Sequence, residues 1–318
     1  MWSGSSPRND MMEDERRQLL RLEPNLRRRA LVQGLTRAFF TKQRFLEVET
    51  PLRMPHVAPE PYITPFESET WFLSTSPELH MKRLLAAGYD KLFQVSRCFR
   101  RGERGRWHNP EFTMLEWYRT GADYQQMIGD TEQLVTAIAN KLGLDSTIKY
   151  RGQDIDISLP WPRITVRDAF LHAAGWDPIA EPDSLRFDTD LVTRVLPGFP
   201  PDRPTVLTDY PAAMASLARL KPGLGVAERA EVFIGGLELA NAYSELTDAR
   251  EQERRFSEAI EQIHKERRQH TAMPRQFLEA MADLPECGGA ALGIDRLVML
   301  LCDAASIDEV IAFTVDTA

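Results

Sequence analysis

Cysteine is scarce in this sequence: 318 residues hold only Cys98, Cys287 and Cys302. An odd, unclustered set argues against a disulfide framework and fits a reducing compartment. The six histidines are equally scattered, and no Cys/His spacing resembles a zinc site. There is no run of 18 apolar residues to span a bilayer, and the N-terminus lacks the apolar core of a signal peptide. The expected location is therefore the cytoplasm. Positive charge is not in excess either. The formal net charge of −8 excludes a general affinity for nucleic-acid backbone, while leaving room for a local basic patch. No internal repeat is present.

What remains is an ordinary globular balance, 43% hydrophobic and 27% charged, in a chain long enough for one large domain or two of common size. The first ten residues, MWSGSSPRND, are small and polar and are expected to be disordered. They belong to a tail over residues 1–24 that is disordered or partly helical. Asn25 is placed to cap a helix running through LRRRALVQGLTRAFFTKQ, with Leu31, Leu35, Ala38 and Phe39 on one stripe. Arg27, Arg28 and Arg29 read either as a solvated helix face or as a docking patch. FLEVETPLRM alternates like a strand, ended or edged by Pro51.

Further on, PELHMKRLLAA reads as a short helix closed by Gly88. LFQVSRCFR and EFTMLEWYR read as two strands joined by a loop over 101–110, and a helical pattern resumes over 123–143. TVRDAFLHAAG is a helix capped by Thr165 with Asp168, stopped at Gly175. Residues 181–204 are rich in proline and aspartate and are expected to be loop or peripheral structure. AEVFIGGLELANAYSEL is strand, Gly-Gly turn, strand. A long charged helix is expected over 249–271, and ALGIDRLVMLLCDA leads from strand or turn into helix. The elements are mixed rather than alternating, which predicts an α+β fold with an antiparallel β-sheet flanked by helices.

Three stretches carry candidate chemistry. In the hairpin, Gln94, Ser96, Cys98 and Arg100 form a polar face that Met114, Glu116 and Tyr118 share on the return strand. Arg100 ends that face, where a planar guanidinium can clamp a phosphate. Arg106, His108 and Asn109 follow in the loop, with Pro110 extending Asn109. An ordinary surface hairpin with solvated arginines fits these residues as well. In the second stretch, a Gly235-Gly236 loop puts Phe233 opposite Glu238 and Glu231 opposite Ala240. Glu231 and Glu238 then lie on one face, roughly 7 Å apart. Such a pair repels unless a cation lies between, so Mg²⁺ bridging them to a nucleotide's phosphates is one reading. Edge-strand acids that discourage aggregation are the other. Glu245 joins that face only through a bulge, expected at Asn241-Ala242. Third, the small residues of GGAALG permit close approach of a flat ligand or merely tight packing, with Arg296 after them.

In chain order, FLEVETP, FRRGERGRWHNPEFTMLEWY and ALGIDR resemble motifs 1, 2 and 3 of the class II aminoacyl-tRNA synthetases. TSPELHMKRL, RWHNPEFTMLEWY and GGLELANAYSELTDA are close to segments of lysyl-tRNA synthetases. The similarity covers roughly residues 25–318 and would be hard to produce by chance. Only about two dozen residues precede the first expected helix, so no anticodon-binding OB-fold is expected. A short, lysyl-like chain of one catalytic domain, with HNPEFTMLEWYR and LANAYSELTDAREQ, is most similar to the elongation factor P (R)-β-lysine ligase family.

That resemblance implies ATP and Mg²⁺ as cofactors, and β-lysine or lysine as the small substrate. It implies elongation factor P as acceptor rather than tRNA, and a homodimer built on motif 1. A truncated enzyme charging tRNA or another carrier is the runner-up, and an inactive ATP- or lysine-binding regulator is the reading from another class. Residue by residue, it assigns Arg100 to the ATP α-phosphate and substrate carboxylate, and Arg296 to the γ-phosphate side. The nucleotide site comprises Arg100, Arg101, Gly102, His108, Asn109, Phe112, Glu238, Leu239, Gly293 and Arg296, with Phe112 stacked on adenine. Glu231 and Glu238 hold Mg²⁺. Ser76, Pro77, Glu78 and Ala291 line the amino-acid pocket, and Tyr118 with Glu245 receives the ε-ammonium. Two positions depart from the synthetase pattern. Gly102 stands where motif 2 usually has glutamate for the adenine amino group, so that either Glu103 substitutes or the contact is lost. Ala291 stands where the tRNA enzymes have glycine, as in the ligases, and its methyl suits an amine moved from the α to the β carbon.

Overall fold

The computed structural model describes residues 7–266 and 272–318. Residues 1–6 of the expected disordered tail, and the end of the charged helix expected over 249–271, lie outside the described residues. Helix α1 (Pro7–Lys42) starts well before Asn25, which is therefore not its cap. Leucine, arginine and glutamate propagate the helix through this segment, helped by pairs one turn apart such as Arg17–Glu13 (3.0 Å) and Arg27–Glu23 (2.6 Å). Pro24 sits inside the helix and only forfeits one donor. The Asn25 amide instead donates to the Glu309 carbonyl at 3.0 Å. Of the three successive arginines only Arg27 matches the solvated reading. Arg28 donates to the Leu301 carbonyl (2.6 Å), and Arg29 pairs with buried Asp295 (2.5 Å).

After α1 come the short strands β1 (Leu46–Glu47), β2 (Arg53–Met54), β3 (Glu67–Ser68) and β4 (Trp71–Leu73). The strand expected over FLEVETPLRM is thus two pieces, divided where Pro51 withholds a ladder donor. Helix α2 (Glu78–Ala86) follows and ends before Gly88, whose φ is 97°. The hairpin is β5 (Lys91–Phe99) and β6 (Glu111–Thr120), and α3 (Tyr124–Lys141) begins with a capping box between Asp123 and Gln126.

Next are β7 (Thr147–Tyr150), β8 (Gln153–Asp156), β9 (Arg163–Thr165), α4 (Val166–Ala173) capped by Thr165, and α5 (Ser184–Asp190). Within the 181–204 segment, residues 184–198 are helical rather than loop. Helix α5 continues into a π-helical turn, Leu191–Val195, because Phe187 stacks on Phe170 at 4.5 Å and anchors it. Its prolines lie at the ends, where they do not interrupt the helix. The chain closes with β10 (Thr205–Pro211), β11 (Val226–Ile234), β12 (Leu237–Ser244), α6 (Ala249–Lys265), α7 (Arg275–Ala280), β13 (Cys287–Gly293) and α8 (Ile294–Cys302).

The main sheet has eight strands in the order β1-β5-β6-β13-β12-β11-β10-β9. Its edge pairs, β1 with β5 and β9 with β10, are parallel, and every pairing between them is antiparallel. One face carries Leu115, Trp117, Val232, Ala242 and Leu292, packed in the core with residues of α1, α3 and α8 such as Phe40, Met127 and Val298. Burying those apolar rows leaves the alternate residues, polar ones among them, on the opposite face. No described helix is long and apolar enough to cross a membrane.

Candidate active site

Four antiparallel registers bring the polar residues of distant segments into rows. Gln94, Glu116, Ala291, Asn241 and Glu231 are successive cross-strand partners on β5, β6, β13, β12 and β11. The neighbouring row is Leu92, Tyr118, Gly289, Tyr243 and Arg229. The expected pairing of Phe233 with Glu238 is present, but Glu231 faces Asn241 and not Ala240. The partners step from Glu238 to Ala240 while β11 advances by one, so the bulge is at Leu239, earlier than Asn241-Ala242. Its effect is the one Glu245 requires: the extra residue returns Glu238, Asn241, Tyr243 and Glu245 to a common face.

A cavity lies over these rows. Of the residues anticipated for it, Ser76, Glu78, Arg100, His108, Asn109, Phe112, Tyr118, Glu238, Leu239, Ala291, Gly293 and Arg296 line it. Pro77, Arg101, Gly102, Glu231 and Glu245 do not. Pro77 precedes α2, and Arg101 is exposed, its backbone amide donating to the Thr64 carbonyl at 2.7 Å. Gly102 has φ of 84° in open space, a conformation any side chain resists, and Glu103 beside it lines the cavity instead.

At one end of the cavity, Arg100 has no carboxylate partner among the described residues. Its guanidinium lies 5.2 Å from the Phe112 ring centre, and Nε donates to the Thr75 carbonyl at 3.4 Å. Arg296, in the first turn of α8, donates to the Glu238 carbonyl (2.6 Å) and to His108 Nε2 (2.6 Å). Burial and then the Arg296 charge hold the His108 pKa below the ordinary value, so the imidazole is the neutral acceptor of that bond. Asn109 spends its side chain on backbone, donating to the Glu111 carbonyl and accepting from the Val315 amide. Its amide thus pins the loop as well as lining the cavity.

The other end is crowded with carboxylates. Ser76 Oγ donates to Glu116 at 2.6 Å and accepts from the Glu78 amide at 3.1 Å. Tyr118 donates to the second Glu116 oxygen at 2.8 Å. Burial, then the nearby Glu78 charge, pushes the Glu116 carboxyl up to about 8. Glu245 lies behind this wall: its Oε2 pairs with Lys82 Nζ at 2.5 Å, and the same ammonium pairs with Glu78. Burial opposes the Lys82 charge, but Glu245 and Glu78 outweigh it and keep the pKa above the ordinary lysine value. Glu245, expected to receive an ammonium, thus already holds one within the fold. An internal lysine occupies that carboxylate, and the cavity-facing acid beside Tyr118 is Glu116. The hairpin alternation had already put Glu116 and Tyr118 on one face; Lys82, on the PELHMKRL helix, gave no signal of burial.

Glu60 also lines the cavity, half-buried, and sequence pattern missed it because it belongs to no periodic element. Glu231, by contrast, is buried below the cavity floor and paired with Arg229 at 2.7 Å. Burial and then Glu238 raise its pKa. Glu238 accepts from Asn241 at 2.7 Å. Among the described residues no cluster of three or more metal-ligating side chains occurs.

A cavity with an unpaired arginine at one end and buried acids at the other suits a small molecule carrying a carboxylate and amines. Comparison with known proteins points the same way. Residues 12–317 match the family model for class II tRNA synthetases (D, K and N). A Klebsiella pneumoniae (strain 342) protein named elongation factor P--(R)-beta-lysine ligase is 42% identical, the match covering 93% of this chain and 96% of the relative. Proteins of the same name from Salmonella dublin and Enterobacter sp. (strain 638) are 41% and 39% identical over the same shares. The chain belongs to the class II tRNA synthetase family, in the group of the elongation factor P (R)-β-lysine ligases.

Proposed function

We propose that this protein uses ATP to activate (R)-β-lysine as an aminoacyl-adenylate and then joins it to the ε-amine of a lysine on elongation factor P. The observation that carries this reading is the charge pattern of the cavity. Glu78 and Glu116 line its deep end with Glu245 behind them, and Lys82 and Arg100 are the cations set against these three acids. A buried carboxylate without a cation is costly, and the elevated Glu116 pKa records that cost. A diamino acid relieves it: one ammonium on Glu78, the other on Glu116 with Tyr118, and the carboxylate on Arg100.

Activation is an in-line attack of that carboxylate on the ATP α-phosphate, with pyrophosphate leaving. It requires positioning and charge neutralisation more than a reactive side chain. Arg100 holds the attacking carboxylate against the α-phosphate, and Arg296 takes the outer phosphates. Neutral His108 fixes the Arg296 guanidinium, and Phe112 and Gly293 give the base and sugar a close approach. Glu103 takes the place of the missing motif 2 glutamate. Glu238, which lines the cavity, and Glu231, once released from Arg229, would hold Mg²⁺, since the Glu238 charge raises the cost of the Glu231 charge. The ion would neutralise phosphate charge. Exposed Leu46 and Leu52, flanking the sheet edge at β1, support the pairing of two copies there.

ATP–pyrophosphate exchange with β-lysine and α-lysine side by side, followed by transfer to purified elongation factor P and to tRNA, tests the reading. Exchange favouring β-lysine and transfer to the protein are expected. No exchange with either amino acid would overturn the ligase reading, and a strong preference for α-lysine would overturn the choice of substrate.

A further inference from the structure

Resting on that reading, we infer that Glu60 is the base that takes the proton from the acceptor amine in the transfer step. Once the substrate is placed, Lys82 serves Glu245, the two substrate ammoniums serve Glu78 and Glu116, and Arg100 serves the substrate carboxylate. Glu60 is the acid left over. No side chain among the described residues donates a hydrogen bond to it.

Its position suits the role. Glu60 lines the same cavity as Arg100, the residue that holds the substrate carboxylate in this reading. Glu60 is less buried than Glu116, which is 2% exposed, and Tyr62, two residues on, is 68% exposed. The segment therefore borders the opening through which a protein side chain must enter. Pro59 and Pro61 flank Glu60 and restrict its backbone, while the Thr64 carbonyl takes the Arg101 amide and ties the segment to Arg100's neighbour. A base fixed in this way needs little reorganisation.

The charged and titratable groups that face Glu60 are Arg100, Glu78, Arg229, Lys82 and Tyr243. Burial outweighs the three cations and brings the carboxyl up to about 7, where it can both accept and release a proton. The other acids are committed: Glu116 to Ser76 and Tyr118, Glu78 to Lys82.

In the step itself, the acceptor's ε-ammonium gives one proton to the Glu60 carboxylate. The freed nitrogen lone pair forms the C–N bond to the acyl carbon. The acyl C–O bond to the phosphate then breaks, AMP leaves with the bonding electrons, and the nitrogen's surplus proton passes to the leaving phosphate.

The test is Glu60→Gln, with the two half-reactions measured separately. ATP–pyrophosphate exchange should stay within about twofold of the parent protein, while single-turnover transfer from preformed adenylate to elongation factor P falls about a hundredfold. The rise of transfer with pH near neutrality should flatten in this variant and return in Glu60→Asp. Equal losses in both half-reactions would overturn the inference and make Glu60 a substrate-holding group. Unchanged transfer would overturn it outright. Absence of exchange in the parent protein would instead sink the ligase reading, so the two failures are distinguishable.

Discussion

Lys82 Nζ lies 2.5 Å from Glu245 Oε2, and both side chains are 1% exposed. This internal ion pair, shared with Glu78, builds the wall behind the amino-acid end of the cavity.

Removing the cation strands two acids. Lys82→Met should destabilise the protein by about 3–5 kcal/mol, because the loss of one partner leaves buried charge uncompensated. Adding Glu245→Leu should recover part of that loss. Urea unfolding of the two single variants and the double variant measures the coupling, and strict additivity would refute it.

Glu116 should govern recognition of the substrate's distal amine. Glu116→Gln should weaken binding of the diamino acid by about 3 kcal/mol, roughly a hundredfold in KM, while ATP binding is kept. Exchange kinetics at varied amino acid concentration check this. The pH dependence has a definite sign. The carboxyl titrates near 4.5 when unfolded and near 8 in the ligand-free fold, so the folded state binds the extra proton between those values. Its contribution to stability is full below about 4.5 and is lost as pH rises through about 8. Glu116→Gln should flatten that decline in thermal melts. Substrate binding needs the ionised form, so affinity should increase over the same rise.

Gly289 is fixed by close approach. A Cβ there would lie 2.0 Å from Glu245 Oε1 and 2.4 Å from the Tyr118 ring. Gly289→Ala should displace one of them and cost about 1–3 kcal/mol of stability, with amino acid binding impaired more than ATP binding. Isothermal titration with each ligand separates the two effects.

Ala291 puts its methyl on the floor between Glu116 and Asn241. Ala291→Gly should shift the preference from β-lysine towards α-lysine by about tenfold, the worth of a small volume change in a pocket. The ratio of kcat/KM for the two amino acids reads it, and an unchanged ratio would remove Ala291 from the specificity site.

Local sequence was informative wherever one element decided the outcome. Alternation along LFQVSRCFR and EFTMLEWYR placed Glu116 and Tyr118 on one face, and Thr165 and Gly88 marked helix ends. The motif order marked Arg100 and Arg296, and both line the cavity. Misreadings occurred where distant packing prevailed. Phe187 found Phe170 and turned an expected loop into helix. Arg29 found Asp295 across 266 positions of chain, and no helix periodicity reveals such a partner.

By itself the sequence determined the mixed α+β pattern, the strands and the residue types of the cavity, because these follow from local conformational preference and the periodicity of burial. The tertiary structure alone decided which acids are free. A carboxylate's availability depends on the cations brought beside it, and those come from other elements: Lys82 on α2 takes Glu245 on the segment after β12. Arg229 similarly takes Glu231, while Glu116 is left facing the cavity. Burial then sets how strongly each remaining acid seeks a cation, and that demand is the physical basis for reading the cavity as a diamino acid site.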